Sequence, residues 1–479
     1  MKIDRTASSV IFVYPFCFRG PAFDGIARSI SAAKWPGRDS LLQVWEKAKF
    51  PKEDLLAHVA EYLNPEGDNP ATARLWKLTG AVLQSSHGLG NNSNWQLLAR
   101  NPIPFHIDEI TLMLFLVGVG FIAISVKPLS DAPEDWLDFT HFFRFTDTDH
   151  GTKLRVSKSR AAGEVVPYFP EPAGGLVNHP NGEGAIEDIL EGLLATGAPD
   201  CPRSPWWDDI FVPDRMLPFS SLFFEGAPTE QRPEFLYRAR RFFHAKQEIR
   251  LTLADREYRH ESLQEYVDNQ WFAFSLDGSA FVAFDAPNTP FFRQNLPQHL
   301  RSQYFLLFVI VLHQRFALMK FSADVAKSWP IERSDALKET KFTQLRHDML
   351  VFTARGYFSQ VMQRENHHRC YRRWQDIFQV TDLYAEVRDE VLEMHNTLIF
   401  EKTAAAEART KALEHSISML GVFIGVPALV IGFLGINLQG ITAQEGLLWW
   451  QAGLIGIGGG LFSAALVLLV IRKCRSGKP

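Results

Sequence analysis

Along most of this chain apolar residues come in short runs broken by polar ones, and near the end the pattern changes. Ile417–Leu438 and Leu447–Ile471 are continuous apolar stretches without a charged residue, separated by the polar segment Gln439–Gly446. Each is long enough to cross a bilayer as a helix, which takes about 20 residues at about 1.5 Å rise. The connecting loop holds no Lys or Arg, whereas Lys402, Arg409 and Lys411 precede the first run and Arg472, Lys473, Arg475 and Lys478 follow the second. This asymmetry predicts both termini on the cytoplasmic side and the loop outside. Trp449 and Trp450 then fall at the outer interface, where amphipathic rings are favoured. The glycines of the second run, Gly453 to Gly460, suit close helix packing in lipid.

Other apolar stretches read differently. Val10–Phe16 predicts a buried strand, and Ile110–Val126, interrupted by Gly118 and Gly120, predicts a buried hairpin. Trp271–Phe284 predicts another, turning at Asp277-Gly278. Tyr304–Leu312 is too short to span and predicts a buried helix. Further helices are expected over Leu41–Phe50, Pro51–Leu63, Pro133–Phe145 and Gln298–Lys320. The Pro- and Gly-rich stretch Pro167–Pro233 reads as an insertion or long loop. The fold expected is an α+β or α/β cytoplasmic domain over residues 1–296. A long-helix stalk over 297–414 and two transmembrane helices within 415–479 complete it.

The stalk has no proline between Pro330 and Pro427, and Gly356 is its only glycine before the first apolar run. Long helices are expected there, with a turn near Gln379–Thr381. In the last helix Tyr384, Val387, Val391, Met394, Leu398, Ala405, Ala408 and Ala412 recur at three- and four-residue steps. That stripe predicts self-association of parallel helices. It continues in phase through His415, Met419, Val422 and Val426, which would form a gate. Acidic residues such as Asp382, Glu386, Asp389, Glu393, Glu401, Glu407 and Glu414 outnumber basic ones along this helix. A solvated face and a cation-concentrating vestibule are both open readings of that charge.

Composition narrows the function. A net charge of −4 gives no general case for nucleic-acid binding. Cys17, Cys201, Cys370 and Cys474 are scattered, which fits a reducing compartment for the soluble part. The N-terminus lacks the apolar core of a cleaved signal peptide. No nucleophile–base–acid set is recognisable, and Gly88-Leu89-Gly90 has no Walker lysine, so no enzyme activity is expected. His367-His368-Arg369-Cys370 has metal-capable side chains, but helical neighbours point about 100° apart and need partners elsewhere. The basic run Arg238, Arg240, Arg241, Lys246, Arg250, Arg256, Arg259 is either a solvated helix face or a phosphate-ligand patch.

The first apolar run closes on Gly435-Ile436-Asn437. A pore for a hydrated divalent cation needs oxygen dipoles, because Mg²⁺ keeps its waters. A ring of Asn437 amides can accept hydrogen bonds from those waters, and Gly435 lets the backbone turn where the helix ends. In this setting the C-terminal third resembles the CorA superfamily of divalent-cation channels and transporters, most of which carry Gly-Met-Asn. With Ile436, and Gly440 soon after, it resembles the zinc-transporting ZntB branch more than the Gly-Met-Asn members. The resemblance implies a homopentamer in the inner (plasma) membrane with the first span lining the pore. It also implies Gly435, Ile436 and Asn437 in the entrance filter, Asn437 meeting the ion through its waters, and Glu445 near the mouth as a cation attractor. The transported ion would be Mg²⁺, Zn²⁺, Ni²⁺ or Co²⁺, with no resident cofactor. The family's Pro-Leu-Thr is here Pro427-Ala428-Leu429, and its Met-Pro-Glu-Leu loop is Thr442-Ala443-Gln444-Glu445, which leaves ion preference open.

Three readings are compatible with these features. One is a divalent-cation channel or transporter gated through its cytoplasmic domain. Another is a CorA-like effector of a type III CRISPR defence system, gated by a small nucleotide bound at Arg238, Arg240, Arg241 and Arg250. The last is a membrane-anchored binding protein that does not conduct.

Overall fold

The computed structural model describes residues 1–36, 41–66, 71–84, 94–147, 153–157, 183–196, 206–209, 214–328, 335–441, 453–454, 457–462 and 465. The chain divides into two compact units, Met1–Val391 and Leu392–Pro479. Residues 297–391, expected in a separate stalk, therefore belong with the sheet domain.

The first unit is built on a mixed sheet. Its centre runs in the order Pro102–Phe115, Val119–Pro128, Ser9–Cys17, Leu217–Glu225, Gly278–Ala283, Gln270–Ser275 and Leu263–Val267. All neighbours in this run are antiparallel except Leu217–Glu225 and Gly278–Ala283, which are parallel. Helices cover both faces. Phe12 and Phe105 meet Phe139 of helix Pro133–Phe142 and Phe143, the residue that caps it, and Phe224 meets Phe235 of helix Arg232–Arg241. On the other face Phe121 meets Phe316, and Phe219 meets Phe305, Phe308 and Trp374. A sheet buried on both sides explains why its strands read as unbroken apolar runs.

The expected hairpins form. Pro102–Phe115 and Val119–Pro128 are joined through Gly118, whose φ of +85° only glycine adopts readily. Gln270–Ser275 and Gly278–Ala283 pair one residue from the expected turn. The buried helix over Tyr304–Leu312 is part of Phe305–Ser328 and its helical lead-in. Gln379, at φ 53°, breaks Glu365–Ile377 from Val380–Ile441, as the expected turn requires.

Three expectations are corrected. Leu41–Phe50 is not a helix: Leu41–Gln43 and Trp45–Ala48 are strands. Trp45 faces Leu78 and Lys47 faces Trp76 across the pairing, so the cross-strand partner overrides local helix propensity. Over Pro51–Leu63 only Ala57–Leu63 is helical, because Asp54 adopts φ 62° and Leu55 bridges Met362. Within Pro167–Pro233, Leu217–Glu225 is a central strand and Ile186–Ala195 a helix. Pro218 concealed that strand, since proline is normally excluded from a sheet's middle. Most of the rest of that stretch lies outside the described residues.

Candidate pore helix and basic segment

The helix carrying the candidate filter runs unbroken over Val380–Ile441. Its first turns lie on the sheet domain. Tyr384 stacks on Tyr357 with ring centroids 4.4 Å apart, and Val387 and Val391 are buried. The expected self-association seam is thus corrected at its start, because these positions are already covered by the same chain. Farther along the helix the apolar positions are uncovered: Leu413, Ile417, Leu420, Phe423, Ile424 and Leu429 are all exposed. Met419, Val422 and Val426 are half-buried, and His415 is exposed beside Glu414. Glu401 and Glu407 are exposed as well.

The backbone does not turn at Gly435, the residue expected to let it do so as the helix closes near Leu438. The helix continues through Gly435, Ile436 and Asn437 to Ile441, so the glycine is not the residue that stops it. Glu445 and most of Leu447–Ile471 lie outside the described residues. Among the described residues one helix is long and apolar enough to cross a membrane, Phe291–Lys327. Its apolar window is 72% buried, and it serves as the core helix on one face of the sheet.

The basic segment does not form one surface. Arg238 Nε and Nη2 donate to Glu234 Oε1 at 3.1 and 2.8 Å, and Nη1 donates to the carbonyls of His244 and Gln247. Arg240 Nη2 donates to Asp255 Oδ1 at 2.7 Å, with both side chains buried. These two arginines close the turns after helix Arg232–Arg241. Of the two readings open for the run, neither a solvated face nor a phosphate patch describes Arg238 and Arg240, since each guanidinium is committed to partners inside the fold. Arg241 and Arg250 are exposed.

His367 of the Glu365–Ile377 helix is likewise structural. His367 packs edge-on against Tyr304 at 4.5 Å, and burial pushes its pKa down to about 4. Cys370 is buried beside the Gln264 amide, and burial pushes its thiol up. Among the described residues no group of three or more His, Cys, Asp or Glu is disposed to hold a metal ion.

Sequence reasoning missed a buried polar joint near the start of the long helix. The Tyr371 hydroxyl lies 2.6 Å from the Phe358 carbonyl, and Gln375 Nε2 donates to Gln314 Oε1 at 3.1 Å. Gln314 Nε2 donates to the Gly356 carbonyl at 3.3 Å. Beside it, His313 Nε2 sits 3.2 Å from the Tyr62 hydroxyl, and burial takes the imidazole pKa down to about 3. The one clue was the polar pair His313-Gln314 inside an apolar run. No protein-family model matches the chain, and no curated protein matches it.

Proposed function

We propose that the protein is an oligomeric membrane channel or transporter for divalent cations, gated through its sheet domain. The observation that carries this reading is the uncovered apolar surface of the long helix from Leu413 to Leu429. Six large apolar side chains on one exposed segment are costly in water, at about 25 cal/mol per Å². Lipid and further copies of the same helix remove that cost together. Asn437 lies on this helix, and its amide is suited to a hydrated ion rather than a bare one. In this reading both termini are cytoplasmic, Ile417–Leu438 and Leu447–Ile471 are the spans, and the copies form a ring, five by resemblance to CorA. Glu401, Glu407 and Glu414 would concentrate cations below the pore. A nucleotide-gated role draws no support from Arg238 and Arg240, which are engaged internally.

The test is ion flux into liposomes holding the purified protein, comparing Mg²⁺, Zn²⁺, Ni²⁺ and Co²⁺. Flux that falls by about tenfold or more in Asn437→Ala supports a pore with a neutral amide ring. No flux through either protein favours the non-conducting anchor, and equal flux through both shows that ions pass without the Asn437 amide.

A further inference from the structure

The two helices joined at Gln379 carry an opposite excess of charge on their exposed sides. On Glu365–Ile377 the exposed face presents Arg369 and Arg372 between Glu365 and Asp376, with Arg373 half-buried beside them. On the next helix Asp382, Glu386 and Asp389 are spaced at steps of four and three residues, which places them on one stripe. Glu393 follows at the next step of four.

Among the described residues Arg369, Arg372 and Arg373 form no ion pair, and neither do Asp382 and Glu386. Arg372 reaches only the Gln375 amide at 3.1 Å, and Asp389 pairs only with its neighbour Arg388. The apolar sides of both helices already face the fold, through Cys370, Tyr371 and Trp374 on one and Val387 and Val391 on the other. What each helix offers outward is therefore mostly charge, with an excess of positive on one, where Arg369, Arg372 and Arg373 outnumber Glu365 and Asp376, and an excess of negative on the other, where Asp382, Glu386 and Asp389 outnumber Arg388.

We propose that the Arg369–Arg372 face docks on the Asp382–Glu386 stripe of a second copy of this chain. The two surfaces are complementary in net charge, every copy carries both, and among the described residues Arg369, Arg372, Asp382 and Glu386 form no ion pair within their own copy. Such a contact joins two different patches, so it is heterologous. It uses each patch once and continues from copy to copy until a ring closes. The inference rests on the oligomeric reading above and adds which surfaces set the register between neighbours. It also assigns the lower acidic residues to the subunit contact, leaving Glu401, Glu407 and Glu414 for the ion path.

The experiment measures the mass of the full chain in detergent by light scattering over a dilution series. Four proteins are compared: the native chain, Arg369→Glu with Arg372→Glu, Asp382→Lys with Glu386→Lys, and the fourfold combination. Each one-sided variant is expected to raise the dissociation midpoint about tenfold, since like charges then face each other. The combination is expected to restore it, because the charges are exchanged rather than lost. In the native chain, raising salt from ~0.15 to ~1 M, where the screening length falls from about 8 to about 3 Å, should weaken assembly. That arm needs no variant to fold. A native multimer whose midpoint neither charge reversal nor salt moves overturns this contact and leaves the oligomeric reading standing. A native chain that is monomeric throughout overturns both.

Discussion

At the residue scale, the charges that look most available in the sequence are the ones the fold has consumed. Arg240 and Asp255 are 5% and 3% exposed at their side chains, so neither charge has water to fall back on. Removing one partner of a buried pair costs about 3–5 kcal/mol. Asp255→Ala should therefore lower the urea-unfolding free energy by about that amount, whereas exposed Arg241→Ala should change it by less than about 0.5 kcal/mol. Equal effects of the two would show that Arg240 is not structurally committed. Nothing in the spacing of the basic run separates Arg240 from Arg241; only the turn back to Asp255 does. The buried histidines make a second prediction. His313 is held near pKa 3, and His141 and His367 near 4, with burial the main cause in each. Their ordinary pKa is about 6.5, so below that value the unfolded chain takes up protons the folded chain refuses. Stability is full above about pH 6.5 and falls as pH drops toward 4 and 3, by about 1.4 kcal/mol per pH unit for each such proton. Unfolding curves at pH 7, 6, 5 and 4 check this, and His313→Gln should flatten the slope.

At the element scale, strands announced by continuous β-branched and aromatic runs were legible, and those defined by their partners were not. Val10–Phe16 and Ile110–Val126 show in the sequence because both faces of the sheet are buried. Trp45–Ala48 is short and charged, and only its pairing with Ala73–Leu78 makes it a strand. Leu217–Glu225 was hidden by Pro218, although Phe219, Leu222, Phe223 and Phe224 are all buried. At the hairpin turn, a Cβ on Gly118 would sit 2.4 Å from the Phe18 carbonyl oxygen in addition to the positive φ. Gly118→Ala should destabilise the domain by at least about 1–3 kcal/mol, the usual cost of a strained backbone position. An unchanged thermal midpoint would mean the turn can relax at no cost.

At the scale of the whole molecule, the candidate site was legible in part. Gly435-Ile436-Asn437 stands out because it closes an apolar run. That the helix continues past it to Ile441 depends on backbone geometry no residue type dictates. The self-association seam looked continuous because periodicity cannot tell an intrachain partner from an interchain one; Tyr357 took the place expected for a second copy. The division of the chain after Val391 leads to a further prediction. A chain ended there should remain soluble and fold without detergent, while the full chain should partition into the membrane fraction. Aggregation of the shortened chain would show that the sheet domain depends on residues 392–479 for its stability.

The parallel pairing of Leu217–Glu225 with Gly278–Ala283 sits next to the earliest long strand of the sheet, and this bears on how the protein is made. Ser9–Cys17 gains one neighbour once Pro128 has been synthesised, and its Ser9–Val13 part meets the other only when Leu217–Glu225 emerges, about 90 residues later. At ribosomal speed that interval is roughly 5–20 s. For all of it Ile11, Phe12 and Val13 lie on a strand with one open edge, on a chain still tethered at its growing end. A nascent polypeptide in that state is a client for a holding chaperone, and its yield in cells should track chaperone supply more closely than the stability of the finished fold.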